Sequence, residues 1–334
     1  MLIKQLKNNS YILSYLILII IVFGIFSITI PSSFLSTTNL QSMAFQFPEF
    51  GILALAMTIA IITGGIDLSI ISTANLCSII AATSIKILLT NYPETNVIII
   101  IVVVLSVSLL TGLMCGLING FLIALIGISP ILATIGTMKL YEGIAMIVSN
   151  GQAISNFPIA IQFIGNGLFG PIPFSVIIFI FVVIVVNIFL QKTSIGFTIF
   201  MLGSNPVAAR FSGLNNKTIV IRVYVISGLL SGIAAIVMMS RFNSAKVGYG
   251  NSYLLLTVLV AILGGVDPAG GKGNIFGVVF SILLLQFISS GFSLIGFSDY
   301  IRNVIYGAVL ILVMMFKYIY PLLKNRTRDT DKVI

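Results

Sequence analysis

The sequence predicts an all-α integral membrane protein, a single transmembrane domain over 1–334 with about ten membrane-crossing helices, some of them interrupted, and a weak internal repeat. Three observations carry that reading. Hydrophobic residues make up 58% of the chain and charged residues only 7%, where a soluble domain holds about 25% charge. Mean hydropathy is +1.19. The apolar residues also fall in blocks of the length, about 20 residues, that a helix needs to cross a hydrocarbon core of about 30 Å.

Taken in order, 1–10 carries Lys4 and Lys7 ahead of an apolar run at 11–30. A cleaved signal peptide would have a shorter apolar core and a small-residue cleavage site, so 11–30 is expected to be a retained first span. The polar stretch 31–41 follows, and the later blocks divide at Gly, Pro, Asn and Ser clusters. The expected spans are then 44–63, 70–89, 97–126, 130–149, 173–190, 218–240, 252–263, 274–295 and 300–320. Two have unusual lengths. A continuous helix over 97–126 would run about 45 Å at about 1.5 Å per residue and must tilt or bend. The block 252–263 is too short to cross alone and needs its glycine-rich sequel to complete it.

Lys and Arg near the span ends set the orientation, since cytoplasmic loops hold the excess. One side collects Lys4, Lys7, Lys192, Arg210, Lys217, Arg222, Lys272, Lys324, Arg326, Arg328 and Lys332; the other holds little beyond Arg241, Lys246 and Arg302. Both tails, 1–10 and 321–334, are expected to be cytoplasmic. The net charge of +9 comes from 17 Lys and Arg scattered at the ends of apolar segments, which reads as membrane topology and not as a nucleic-acid surface. With no His, no Trp and two Cys, zinc, haem and histidine-based triads are excluded. Cys77 and Cys115 lie in apolar runs, where thiols behave as small hydrophobes.

Two segments echo each other at an offset of 200 residues: MTIAIITGGIDLS from Met57 and TVLVAILGGVDPA from Thr257. Glycine-interrupted segments at matching places in two halves point to a translocation pathway, so Gly64, Gly65, Asp67 and Ser69, with Gly264, Gly265 and Asp267, are the candidate pathway residues. Adjacent glycines cost a helix about 1 kcal/mol each, and an acid at that break is either a functional group or a cap on the following helix. The second motif continues as Pro-Ala-Gly-Gly-Lys-Gly, but Val266 and Gly273 stand where a phosphate-binding loop needs its first Gly and its hydroxyl residue. It reads as a tight turn, and no nucleotide site is recognisable.

The longest polar segment on the inner side is 192–217. Its Ser204-Asn205-Pro206 has the capping residues and first-turn proline that begin a helix, and 207–211 would be a short helix closed by Gly213. It suits either docking to a partner or an ordinary loop on the headgroups. Lys139 and Glu142, three apart inside 130–149, share a helix face and can form a salt bridge or part of an ion relay.

Four stretches together resemble the permease subunits of bacterial ABC importers of the ribose, galactose, xylose and autoinducer-2 type: GGIDLS at 64–69, NGFLIALIGISPILATIGTM at 119–138, GSNPVAARFSGLN at 203–215 and ILGGVDPAGGKGNIFG at 262–277. They stand in the family's order and spacing over about 54–318. The chain departs from the family pattern at Ile70-Ile71, at Glu142 and at Gly196-Phe197. The resemblance implies a multi-pass permease of the bacterial inner or plasma membrane that moves a sugar or sugar-like solute. It also implies a second permease subunit, an ABC ATP-binding subunit that carries the ATP and Mg, and an extracytoplasmic solute-binding protein. Gly203, Asn205, Ala208, Ala209, Arg210, Ser212 and Gly213 would then form the segment that couples to the ATPase, and the chain itself would be no enzyme, without catalytic residues, metal or cofactor. The rival is an ion-coupled secondary transporter using Asp67, Asp267 or the Lys139/Glu142 pair. An intramembrane enzyme lacks a nucleophile and base that can be brought together.

Overall fold

The computed structural model describes the backbone over 10–330, with side chains over 15–298 and 300–315. In chain order the helices are α1 Ser10–Thr29, α2 Pro31–Phe34, α3 Thr37–Ile62, α4 Ile70–Asn91, α5 Val97–Phe121, α6 Pro130–Ser149, α7 Ile159–Asn166 and α8 Phe174–Lys192. They continue as α9 Ser194–Ser204, α10 Pro206–Phe211, α11 Asn216–Phe242, α12 Tyr253–Leu263, α13 Ile275–Ile295 and α14 Asp299–Thr330. Two-residue strands staple the connections: β1 Ile154–Ser155 pairs antiparallel with β4 Ser244–Ala245, and β2 Leu168–Phe169 with β3 Ile172–Pro173.

The protein is an all-α membrane protein. Among the described residues seven helices are long and apolar enough to cross a bilayer: α3, α4, α5 with its terminal turn, α6, α8, α11 and α13. The described parts of α1, α12 and α14 are shorter apolar helices. Residues 1–9 and 331–334 of the two expected tails lie outside the described residues.

At the centre is α3, buried at every position from Pro48 to Ile62. Packed beside it, α11 meets α5 along a seam of small residues. Ser108, Gly112, Gly116 and Gly120 recur every four residues and so lie on one face, against Tyr224, Gly228 and Gly232. A Cβ at Gly112 or Gly116 would run into the α11 backbone, and Ser108 Oγ donates to Gly232 O at 2.9 Å. Small residues at such spacing let two helices pack in lipid, where apolar burial gives no net drive. The outer faces of α5, α6 and α8 expose Val102, Leu132, Ile147 and Phe181, as a hydrocarbon surround favours.

Several expected boundaries move. The polar stretch 31–41 is mostly helical: Pro31 opens α2, and the Ser36 side chain caps α3 by accepting the Asn39 N–H at 3.2 Å. The long span does not stay α-helical: Leu122–Ile126 is a π-helical turn ended by Gly127 at φ +87°, the kind of bulge that bends a helix. The polar segment 192–217 holds two helices, α9 as well as α10. The expected C-terminal tail begins as helix, since α14 runs on through Thr330. Finally, α12 has only 11 residues, a rise of about 16 Å, and ends in the glycine-rich turn.

Candidate functional site

Two glycine turns and a helical glycine, far apart in sequence, meet at one end of the bundle. Helix α3 stops because Gly64, at φ +79°, lets the chain fold back: its N–H donates to Ile61 O at 2.8 Å and that of Gly65 to Ala60 O at 3.2 Å. This is a Schellman cap. Helix α12 ends the same way, with Gly265 at φ +89°, Gly265 N–H to Ile262 O at 3.1 Å and Val266 N–H to Ala261 O at 3.0 Å. By cap geometry Gly64 therefore corresponds to Gly265, one residue away from the sequence alignment that pairs it with Gly264. Both aspartates then close the same turn: Asp67 Oδ1 accepts the Ser69 N–H at 3.1 Å, and Asp267 Oδ1 the Ala269 N–H at 3.0 Å.

The loop after α12 completes the end of α3. The last carbonyl, Ile62 O, accepts the Gly271 N–H at 2.8 Å. Gly203, in the last turn of α9, lies against Ile62 O and the Gly271 backbone with no room for a Cβ, and Gly270 fits between the Gly64 amide and Gly203. The pairing of Gly64 with Gly270 and Gly203 is not legible from the motifs, which nominate Gly64, Gly65, Gly264 and Gly265 alike. Gly65 lies instead under the Tyr224 hydroxyl, and Gly265 faces away with only Tyr15 near it.

Behind this junction Asp67 is buried, 2% exposed. Its Oδ1 also accepts the Ser69 hydroxyl at 2.7 Å, and its Oδ2 accepts the Ser227 hydroxyl from α11 at 2.7 Å. Ser69 Oγ accepts Asn119 Nδ2 from α5 at 2.8 Å, and Asn119 Oδ1 accepts the Thr137 hydroxyl from α6 at 2.6 Å. Every donor in the chain points toward the carboxyl, which ties α4, α5, α6 and α11 to one group. Among the described residues Asp67 forms no ion pair. The capping reading needs correction: the N-cap of α4 is Ser69, without a side-chain cap bond, and Asp67 bonds the N–H of Ser69 itself instead of a first-turn amide.

At the same end α10 is a single fixed turn and a half. Asn205 accepts the N–H of Val207 and of Ala208, both at 3.0 Å, Pro206 occupies the first turn, and Asn216 Nδ2 donates to Pro206 O at 2.8 Å. Ser212 caps the far end, its hydroxyl donating to Ala208 O at 3.0 Å. Gly213 at φ +79° then reverses the chain. Ala209 is buried, Ala208 and Arg210 are exposed, and Val207 and Phe211 stand out at 65% and 89% exposure. Sequence reading passed over Phe211, although an aromatic residue in a polar segment is the available signal.

Sequence reading also missed a buried cluster toward the other end of α3. Glu49, fully buried, takes a two-pronged ion pair from Arg241, Nε to Oε2 at 2.9 Å and Nη2 to Oε1 at 2.6 Å. Tyr253 Oη donates to Glu49 Oε1 at 3.0 Å, and Arg241 lies over the Phe242 ring at 4.1 Å. An acid inside the apolar block 44–63 was the signal. Lys139 and Glu142 form an ion pair at 2.8 Å, with the lysine side chain 70% exposed. Cys77 and Cys115 are free and buried. A polar basin of about 700 Å³ opens at the end of α4 remote from Asp67, lined by Thr83, Lys86, Thr90, Asn150, Gln152 and Asn156 among others.

A family model described as branched-chain amino acid transport system / permease component matches residues 39–314. The chain is 31% identical over 315 residues to the autoinducer 2 import system permease protein LsrD of Yersinia enterocolitica, covering 92% of each chain. It is 32% identical over 317 residues to the protein of the same name from Klebsiella pneumoniae, with 93% of this chain and 91% of that one covered. No solved structure matches it.

Proposed function

The chain belongs to the branched-chain amino acid transport system / permease component family and is a transmembrane permease of the ABC importer type, and on that premise we propose that it translocates a sugar or sugar-like solute inward across the bacterial inner or plasma membrane, driven by ATP hydrolysed on a partner subunit. The autoinducer 2 import named for its relatives supports a small, sugar-like solute, and the scarcity of fixed charge in the spans supports a neutral one. Full-length α1, α12 with its glycine turn, and α14 would bring the spans to ten, with a repeat centred on the α3 and α12 ends and both termini cytoplasmic. A second permease subunit and an extracytoplasmic solute-binding protein complete the assembly.

One observation carries the coupling assignment. The exposed helix α10 follows directly from Gly203, whose backbone is wedged against Ile62 O and Gly271. A push on Phe211 would therefore reach the ends of α3 and the α12–α13 loop through backbone contacts, without flexible side chains between. Segment 192–217 is on this reading the ATPase-coupling segment, with Gly203 at its root, Asn205, Ser212 and Gly213 holding the helix, and Ala208, Arg210 and Phe211 on its docking face. The ion-coupled alternative draws less support, because Asp67 is enclosed by bonded donors and Lys139/Glu142 is an exposed pair.

Expression with the neighbouring cistrons tests this reading. The wild type should co-purify with a nucleotide-binding protein, and Ala208→Glu should purify without it while melting at the wild-type temperature. Solute accumulation in liposomes by the purified chain alone, without ATP, would overturn the proposal in favour of an ion-coupled carrier.

A further inference from the structure

Two cavities are lined by α13 and α14 and differ in character. The larger, about 360 Å³, is wholly apolar and runs between α1, α13 and α14, with Leu263 of α12 at one end and Phe26, Phe292 and Ile305 toward the other. From Leu18 to Phe26, both in its wall, α1 rises roughly 12 Å, so the crevice is elongated along the helices. The smaller, about 100 Å³, is lined by Asn39, Ser42, Gln46, Ser289, Ser293 and Arg302.

Helix spacing joins them. Arg302, Ile305, Tyr306 and Val309 share one stripe of α14, so the guanidinium stands at the head of the apolar crevice. Arg302 Nη1 lies 3.4 Å from both O and Oγ of Ser289. The buried Tyr306, 7% exposed, lies in the crevice wall with Ser289 and Arg302 beside its hydroxyl. A guanidinium carries five donors, enough to keep its contacts within the chain and still take a phosphate oxygen.

We propose that this pair of cavities is a binding site for one anionic glycerophospholipid, phosphatidylglycerol. Its phosphate meets Arg302, whose planar fork matches phosphate oxygens. The glycerol head bonds the hydroxyl and amide side chains of Asn39, Ser42 and Gln46, and one acyl chain fills the crevice. The occupant follows from the surroundings: the crevice is walled by membrane helices, elongated like a chain, lined by apolar side chains and Tyr306, and topped by a cation and a polar recess. The assignment rests on the chain spanning a membrane and not on its solute or its ATPase, so it stands or falls apart from the transport proposal.

The test uses full-length protein stripped of lipid in a neutral detergent and mixed with phosphatidylglycerol, phosphatidylcholine or inorganic phosphate. Native mass spectrometry should find a single phosphatidylglycerol retained under conditions that strip phosphatidylcholine, and that lipid alone should raise the melting temperature. Arg302→Gln should weaken retention about ten-fold, the loss of one charge-assisted contact, and Val309→Trp should displace the acyl chain with the arginine intact. Phosphatidylglycerol carrying a photoreactive group in its acyl chain should label α13 and α14 of the wild type around the crevice, a readout that needs no variant to fold. Equal retention of the two lipids, unchanged retention in Arg302→Gln, labelling spread over the outer faces of α5 and α8, stabilisation by inorganic phosphate alone, or a crevice shielded by a second copy of the chain would each overturn the proposal.

Discussion

Replacing Gly203 by Ala adds one methyl group where three backbones converge, against Ile62 O and the Gly271 amide. Gly203 is not among the positive-φ glycines, so no backbone strain enters the cost. Overfilling a close-packed site costs about 1–3 kcal/mol. The methyl also parts Gly271 N–H from Ile62 O, now 2.8 Å apart, and an unpaired buried group costs about 1–3 kcal/mol more. The sum is about 4 kcal/mol, which at about 2 °C per kcal/mol for a large domain lowers the melting temperature by roughly 8 °C. A thiol-reactive dye reports the transition, because Cys77 and Cys115 are buried and free. Gly136→Ala is the control, a helical glycine with nothing within 4 Å of its Cβ, expected to melt at or slightly above the wild type. A Gly203→Ala protein that melts with the wild type and transports normally would refute the convergence of the α3 end, the Gly270–Gly271 turn and the end of α9.

Other expectations follow from the buried polar groups and the exposed helix. Glu49→Gln leaves Arg241 without its carboxylate in a buried site and should cost about 3–5 kcal/mol by thermal unfolding; Arg241→Lys should fail to substitute, since an ammonium lacks the two-pronged geometry. Ser227→Ala removes the donor on Asp67 Oδ2 and should cost about 1–3 kcal/mol, with Asp67→Asn and the double variant melting non-additively if the two groups are coupled as described. Phe211→Ser should leave the melting temperature unchanged and abolish ATPase co-purification. Membrane-permeant maleimide should leave both cysteines of the folded protein unlabelled and modify them together on unfolding.

The seven long helices α3, α4, α5, α6, α8, α11 and α13 were legible because apolar blocks of membrane length admit few alternatives. So was α10, whose Asn-Pro start and glycine stop are local chemistry. Less legible were features whose cause lies in another part of the chain. The helical start at Thr37 depends on a serine cap inside a stretch that looks like a loop. The π turn at Leu122–Ile126 leaves no mark in composition. The sequence echo did expose two similar helix ends, but only the cap bonds reveal that Gly64 corresponds to Gly265, because left-handed geometry selects one glycine of each pair. Asp67 stood out from the start as an acid beside a helix break, yet Ser227, which bonds it, and Asn119 and Thr137, which reach it through Ser69, are ordinary polar residues in apolar helices, and nothing near them in sequence indicates that they meet.

The donors around Asp67 also bear on the order in which the protein is made. Ser227 lies 160 residues after Asp67, and at synthesis rates of about 5–20 residues per second it emerges roughly 8–30 s later. Throughout that interval the first helices are in the bilayer with a carboxyl whose second oxygen has no native donor. The N-terminal half therefore cannot reach its final packing when it is inserted and must wait, held by water, lipid headgroups or the insertion machinery, until α11 arrives to close around the aspartate. Maturation of this membrane protein is on that account set by α11, the sixth of the seven long apolar helices among the described residues, and truncation anywhere before residue 227 should leave inserted helices that remain open to proteolysis.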